Sequence, residues 1–262
     1  MAIIDPPYNI GKDFGNNHDN REMPEYVSWS LSYLRECVRL VKPAAPIYVY
    51  GYPEVLAHLA VHFPITQQRW LSWHYTNKTV PTSKFWQRSY ESILCLWKGR
   101  KPILQIDDIR ESYTDGFLKN AAGKVRKSKN CRYSKGDSIT IYKAHEGGAL
   151  PRDVIKISAL AGGAGYSERV FYCRDCDEVG FNKDKAAHAN CRTEYHPTQK
   201  PFKLTEKLIK GTAPKNILIP FSGSGSECVV AQKLGLEFYA TDINKDYVTL
   251  GNKWLEKTKK ES

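Results

Sequence analysis

Residues 216–242 constrain the fold more than any other stretch. Asn216 to Ile219 reads as a short apolar strand, and Phe221-Ser222-Gly223-Ser224-Gly225-Ser226 as a glycine-rich turn. Glu227 to Leu234 reads as a helix, and Glu237 to Thr241 as a second strand ending at Asp242. Strand, glycine turn, helix, strand and distal acid make up half of a doubly wound nucleotide-binding sheet. Gly223 and Gly225 let the backbone turn tightly and approach a ligand, and the helix start beyond them offers free N–H groups. A carboxylate at Asp242 can accept from both ribose hydroxyls of an adenosine. Position 228 is Cys, where a dinucleotide fingerprint has its third glycine. The turn therefore suits a smaller adenosine-containing cofactor better than NAD or FAD. The plainer alternative is a glycine turn with no ligand, and the strand, helix and acid around it weigh against that.

The other end of the chain supplies the chemistry. Ala2 to Ile4 is a very short apolar strand that runs into Asp5-Pro6-Pro7-Tyr8. Proline ends a strand because it lacks a ladder donor, and two in succession stiffen the loop. The Asp5 carboxylate and the Pro6 carbonyl form a pair of acceptors needing little reorganisation. Such a pair suits an exocyclic amino group, whose lone pair is delocalised into its ring until the hydrogens are held and the nitrogen pyramidalises. Pro7 fixes the turn, and Tyr8 is placed to stack on a base swung out of a duplex.

Between these ends, Val27, Leu31, Leu34, Val38 and Val41 fall at helical spacing, Pro46 to Tyr50 reads as a strand and Pro53 to His62 as a helix. Arg69 to Tyr75 and Tyr90 to Trp97 read as two further strands. From 100 to 194 the periodicity fades, and the segment reads as an insertion rather than core. The expected organisation is 1–99 as the catalytic half, 100–194 as a target-recognition insertion and 195–262 as the cofactor half. A chain of 262 residues with 41% hydrophobic residues can build one such α/β domain. Its formal charge of +11 attracts polyanions. No apolar run approaches a membrane span, and no export signal is legible, which places the protein in the cytoplasm with reduced thiols.

Asp5-Pro6-Pro7-Tyr8-Asn9, then His196-Pro197-Thr198-Gln199-Lys200-Pro201, then Phe221-x-Gly223-Ser224-Gly225 together resemble the β-class DNA amino-methyltransferases of restriction–modification systems, over residues 2–99 and 195–258. The resemblance implies a Rossmann-like S-adenosylmethionine-dependent sheet in permuted motif order, methylating adenine N6 or cytosine N4, with Asp at the first catalytic position leaning toward adenine. It assigns cofactor contacts to Asp5, Thr198, Gln199, Lys200, Phe221, Gly223, Ser224, Gly225 and Asp242. Double-stranded DNA is the implied partner, and a homodimer and a cognate restriction endonuclease are compatible with it. The family usually carries Asp where this chain has Ile219, and Thr where it has Ser226. It also usually carries more residues ahead of the catalytic strand. Enzymes acting on protein glutamine or on RNA bases differ in having Asn first and the cofactor motif leading. A non-catalytic DNA-binding protein on a decayed scaffold is the rival from another class.

Two features of the insertion point to recognition. Lys124, Arg126, Lys127, Lys129 and Arg132 form a basic run, continued by Lys135, that suits DNA phosphates. Trp73, His74, Asn77, Lys78 and Lys84 are weaker candidates for the DNA cleft. Cys173-x2-Cys176 followed by His188-x2-Cys191 has the spacing of a structural Cys3His zinc site, with Cys131 or His196 as substitute ligands. Such a site is expected to shape the insertion, so that its loss harms DNA binding more than cofactor binding. Ala161 to Gly165 reads as a flexible connector.

Overall fold

The computed structural model describes residues 1–14, 19–77, 83–128 and 138–261. In chain order the strands are β1 (Ala2–Ile4), β2 (Ile47–Gly51), β3 (Gln68–His74), β4 (Tyr90–Leu96), β5 (Val125–Ser128), β6 (Ser138–Ile141), β7 (Val154–Lys156), β8 (Val170–Cys173), β9 (Glu178–Phe181), β10 (Thr193–Glu194), β11 (Asn216–Pro220) and β12 (Glu237–Thr241). The helices are α1 (Met23–Leu40), α2 (Pro53–Ala60), α3 (Asp115–Asn120), α4 (Phe202–Lys210), α5 (Ser226–Lys233) and α6 (Lys245–Glu261).

Seven strands form one sheet in the order β12-β11-β1-β2-β4-β3-β7. All its pairings are parallel except the two made by β4, so β4 alone runs against the others. From β1 the chain crosses through α1 to β2 on one side, and from β11 through α5 to β12 on the other. The β1–β11 junction is therefore the point where the winding reverses, and ligands of open α/β sheets bind at the carboxyl ends of strands there.

The strands alternate between two helix-covered faces, as period-two side chains must when both faces are buried. Ala2, Ile4, Ile47, Val49, Leu94 and Leu96 pack with Leu34, Cys37, Leu56 and Leu59 of α1 and α2. Ile3, Tyr48, Tyr50, Ile93 and Cys95 face the opposite way, with Leu204, Leu208 and Val230 of α4 and α5. Every element expected from periodicity before residue 100 and after residue 200 is present, with ends displaced by a residue or two. Ile219, where a carboxylate was expected by resemblance, is buried in the second of these clusters.

Residues 100–194, expected as one insertion, divide between two compact units. Gln105–Arg152 forms a compact unit of its own, holding α3 and the antiparallel pair β5 and β6. Residues 153–194 group instead with the larger unit. β7 joins the main sheet in parallel with β3, and β8, β9 and β10 make a small antiparallel sheet ordered β10-β8-β9. The boundary was hidden because β7 is three residues long and carries no readable periodicity. Among the described residues, no helix is long and apolar enough to cross a membrane.

Candidate active site

Both sequence motifs meet at the switch point. A crevice of about 560 Å³, counting its open mouth, is lined by Asp5, Pro6, Pro7 and Tyr8 after β1, by Phe221 after β11 and by Asp242 after β12. His196 and Thr198 close one side, and Ile10, Lys12 and Phe14 another. Gly225 caps α5 with φ +81°, and a Cβ there would stand 2.9 Å from the Gly251 Cα, so this turn requires glycine. A Cβ on Gly223 would strike the His196 ring. Gly223 N donates to Asp242 Oδ2 at 2.8 Å and Asn244 N to Oδ1 at 2.9 Å, which fixes the carboxylate at the crevice edge.

The loop after β1 is tightly held. The Tyr26 hydroxyl of α1 donates to the Pro7 carbonyl at 2.7 Å. Buried Asp19 accepts from the backbone of Ile10 and Lys12, and the Asn9 side chain bridges Arg21. Asp5 is thus delivered on a rigid turn.

Behind the crevice lies a buried charge cluster. Lys200 Nζ donates to Asp5 Oδ2 at 2.7 Å and stands 3.9 Å from Glu91 Oε2. The Tyr8 hydroxyl lies 2.9 Å from Asp5 Oδ1 and 3.1 Å from Glu91 Oε2, and the Tyr75 hydroxyl donates to Glu91 Oε1 at 3.2 Å. The Lys200 side chain is only 3% exposed. Burial pushes the Asp5 carboxyl up, opposed by the Lys200 ammonium. Burial alone would lower Lys200, but Asp5 and Glu91 outweigh it and raise its pKa, so the ammonium persists. Burial and the charge of Asp5 push Glu227, at the start of α5, up to about 7. Among the described residues its Oε1 has no hydrogen-bond partner. Burial, reinforced by Lys200, Lys12 and Arg169, brings the His196 imidazole down to about 3, so it stays neutral.

Not every expected site residue faces the crevice. Gln199 turns away: its Oε1 accepts from Val170 N at 3.1 Å and its Nε2 donates to the Glu168 carbonyl at 2.9 Å. Ser224 is buried, its hydroxyl without a hydrogen-bond partner among the described residues. Tyr8 lines the crevice but is 8% exposed and stacks edge-on with Tyr52. Trp73 is buried and bonds to the Ile157 carbonyl, and the Asn77 amide, on an exposed residue, is taken up by the Ala159 carbonyl. These Asn77 contacts also tether the segment Ala161–Gly165, which forms a short 3-10 turn rather than a loose connector. His196 packs against Phe14 and Tyr247, away from the cysteines. Lys124, Arg126 and Lys127 are exposed on or beside the β5 strand of the small unit. Lys78, Lys129, Cys131, Arg132 and Lys135 lie outside the described residues.

Glu91 and Glu227 were missed. Glu91 had a signal: it is the one carboxylate in an otherwise apolar or small strand, and because β4 is reversed its start lies at the catalytic edge.

A crevice at the reversal of a parallel sheet, with a glycine turn on one strand and an acid on the next, defines a nucleotide-cofactor enzyme of the doubly wound α/β class. The chain belongs to the N6/N4 DNA methylase family, whose model matches residues 1–253. It is 27% identical to the type II methyltransferase M.HpaI of Haemophilus parainfluenzae, over 98% of this chain and 68% of that protein. It is 25% identical to the DNA adenine methyltransferase YhdJ of Escherichia coli (strain K12), over 98% of this chain and 76% of that one. Its fold matches the cytosine-N4-specific PvuII DNA methyltransferase with a TM-score of 0.60 at 15% identity, covering 99% of this chain and 83% of that one. It matches the M1.HpyAVI–SAM complex with a TM-score of 0.50 at 18% identity, covering 97% and 88%. The protein is a DNA methyltransferase of the N6/N4 family.

Proposed function

We propose that the crevice binds S-adenosylmethionine and that the protein transfers its methyl group to adenine N6 in double-stranded DNA. The observation that carries this reading is Asp5 on a proline-stiffened turn, paired with Lys200 and facing the same crevice as Phe221 and Asp242. Asp242 is assigned to the ribose hydroxyls, and the backbone after β11 to the methionine portion; both line or border the crevice. The sulfonium supplies an electrophilic methyl, so the protein's work is to place the amino nitrogen in line with it.

Asp5 and the Pro6 carbonyl accept the two amino hydrogens and draw the lone pair out of conjugation. Lys200 keeps Asp5 an acceptor by favouring its ionised form, and Tyr8 steadies its other oxygen. After transfer the nitrogen sheds one proton. Asp5, already accepting from that nitrogen in this reading, is assigned to take the proton, and burial, which pushes its carboxyl up, suits it to do so.

Adenine is favoured because Asp, rather than Ser, occupies the first motif position, and because one similar protein is named as an adenine methyltransferase. The exposed Lys124, Arg126 and Lys127 are assigned to DNA phosphates. Mass spectrometry of nucleosides from DNA treated with the protein and S-adenosylmethionine tests the base. N6-methyladenine is expected, and N4-methylcytosine in its place would overturn the adenine assignment.

A further inference from the structure

We infer that Cys173, Cys176, His188 and Cys191 hold a structural zinc ion, and that this ion organises the segment carrying Thr198 and Lys200 rather than the DNA-recognition unit. The four ligand atoms lie within 4.8 Å of one another. Cys176 Sγ is 3.8 Å from Cys191 Sγ and 3.6 Å from His188 Nδ1. A tetrahedral zinc with Zn–S of about 2.3 Å and Zn–N of about 2.0 Å requires S···S near 3.8 Å and S···N near 3.5 Å. The far side of the imidazole is prepared as well: His188 Nε2 stands 3.4 Å from Glu178 Oε1, which directs Nδ1 to the metal. Four protein ligands leave no open position, so the ion is structural. The cysteines are free, and thiolate-rich tetrahedral donors favour zinc over harder cations.

The position of the cluster decides what it organises. It lies outside Gln105–Arg152, on the larger unit. Val170 and Val179 share a buried cluster with Val229 of α5 and with Leu250 and Trp254 of α6. Lys253 pairs with Asp177 at 2.6 Å, and Arg174 with Asp246 at 2.8 Å. The ligand-bearing turns are thus fastened to the cofactor half. Immediately after Cys191, β10 pairs with β8, and the chain then runs through His196 and Thr198 to Lys200. Gln199 closes the link by bonding to the backbone at Glu168 and Val170. Removing the metal unties the end of β8 at Cys173 from the start of β10 beyond Cys191, and so loosens the chain that approaches Lys200 from its N-terminal side. The expectation that zinc loss chiefly harms DNA binding is replaced by this one.

The link to the cofactor rests on the reading of the crevice given above; the metal and its hold on the segment do not. Elemental analysis of the full chain, purified without added metal, should find about one zinc per chain. Protein without metal, or with a different one, overturns the site. Zinc should then be stripped with an organomercurial, with circular dichroism confirming that the fold survives. Hydrogen exchange across 193–201 should speed up by about tenfold or more and recover when zinc is returned. Unchanged exchange in folded, zinc-free protein overturns the coupling. Gln199→Ala provides a second route that leaves every ligand in place: zinc retained with faster exchange at 198–201 supports the link, and unaltered exchange contradicts it. Calorimetry of S-adenosylmethionine on the zinc-loaded protein tests the crevice reading separately. Absence of binding there counts against that reading and leaves the zinc result standing.

Discussion

Lys200 Nζ rests 2.7 Å from Asp5 Oδ2, although the two residues stand 195 positions apart in the chain. The pair joins the turn after the first strand to the segment that enters α4. Glu91 Oε2 stands 3.9 Å from the same ammonium, so one buried cation faces two carboxylates. Removing one partner of such a buried pair strands the other, at a typical cost of about 3–5 kcal/mol.

Lys200→Met should therefore raise the pKa of Asp5 further, because burial then acts without the opposing ammonium. On the proposed role of Asp5 as an ionised acceptor, the acid limb of the kcat–pH profile should move to higher pH. Activity lost at pH 6 should return in part at pH 9. A profile whose acid limb stays in place would show that Lys200 does not act through Asp5.

Glu227 gives a stability signature with a definite sign. Its carboxyl is raised from an ordinary 4.5 to about 7 by burial and by Asp5. The folded state then binds the proton more tightly than the unfolded chain. The stabilising contribution is full below the unfolded value and is lost as pH rises from there through about 7. Glu227→Gln should accordingly raise the unfolding free energy at pH 8 by up to about 3 kcal/mol, read as a higher melting temperature. At pH 4 it should have little effect. Equal effects at both pH values would show that Glu227 is not destabilised by its charge.

The recognition reading makes a salt prediction. Replacing Lys124, Arg126 and Lys127 together by Ala should flatten the slope of log affinity for DNA against log salt by about 2 to 3, at roughly 0.9 per phosphate contact. Methyl transfer at saturating DNA should be little changed. A slope equal to that of the wild type would place this strand away from DNA.

Much of the site was legible because strand ends carrying chemistry are punctuated. Pro6 and Pro7 stop β1, Gly223 and Gly225 lead into α5, and Asp242 follows β12, so each motif marks its own place on the sheet. What stayed hidden depends on neighbours that sequence order does not reveal. Glu91 reaches the site only because β4 runs backwards beside β2. Gln199 reads as a site residue within its motif, yet the passing β8 backbone takes up its amide. The Cys and His spacing was readable as a metal site, but its seat on α6 rests on Val170, Val179 and Trp254 meeting across the fold. β7 was too short to announce itself.

The most direct measurement compares the wild type with Asp5→Ala in transfer of an isotope-labelled methyl group from S-adenosylmethionine to DNA, with cofactor affinity measured on both proteins. The wild type should label the exocyclic amino group of a base. The variant should bind the cofactor within about tenfold of wild type, yet transfer at least a hundredfold more slowly, a loss of about 2.7 kcal/mol in transition-state stabilisation. Transfer by Asp5→Ala within about tenfold of the wild-type rate (~1.4 kcal/mol) would contradict the role of Asp5 in holding the target nitrogen.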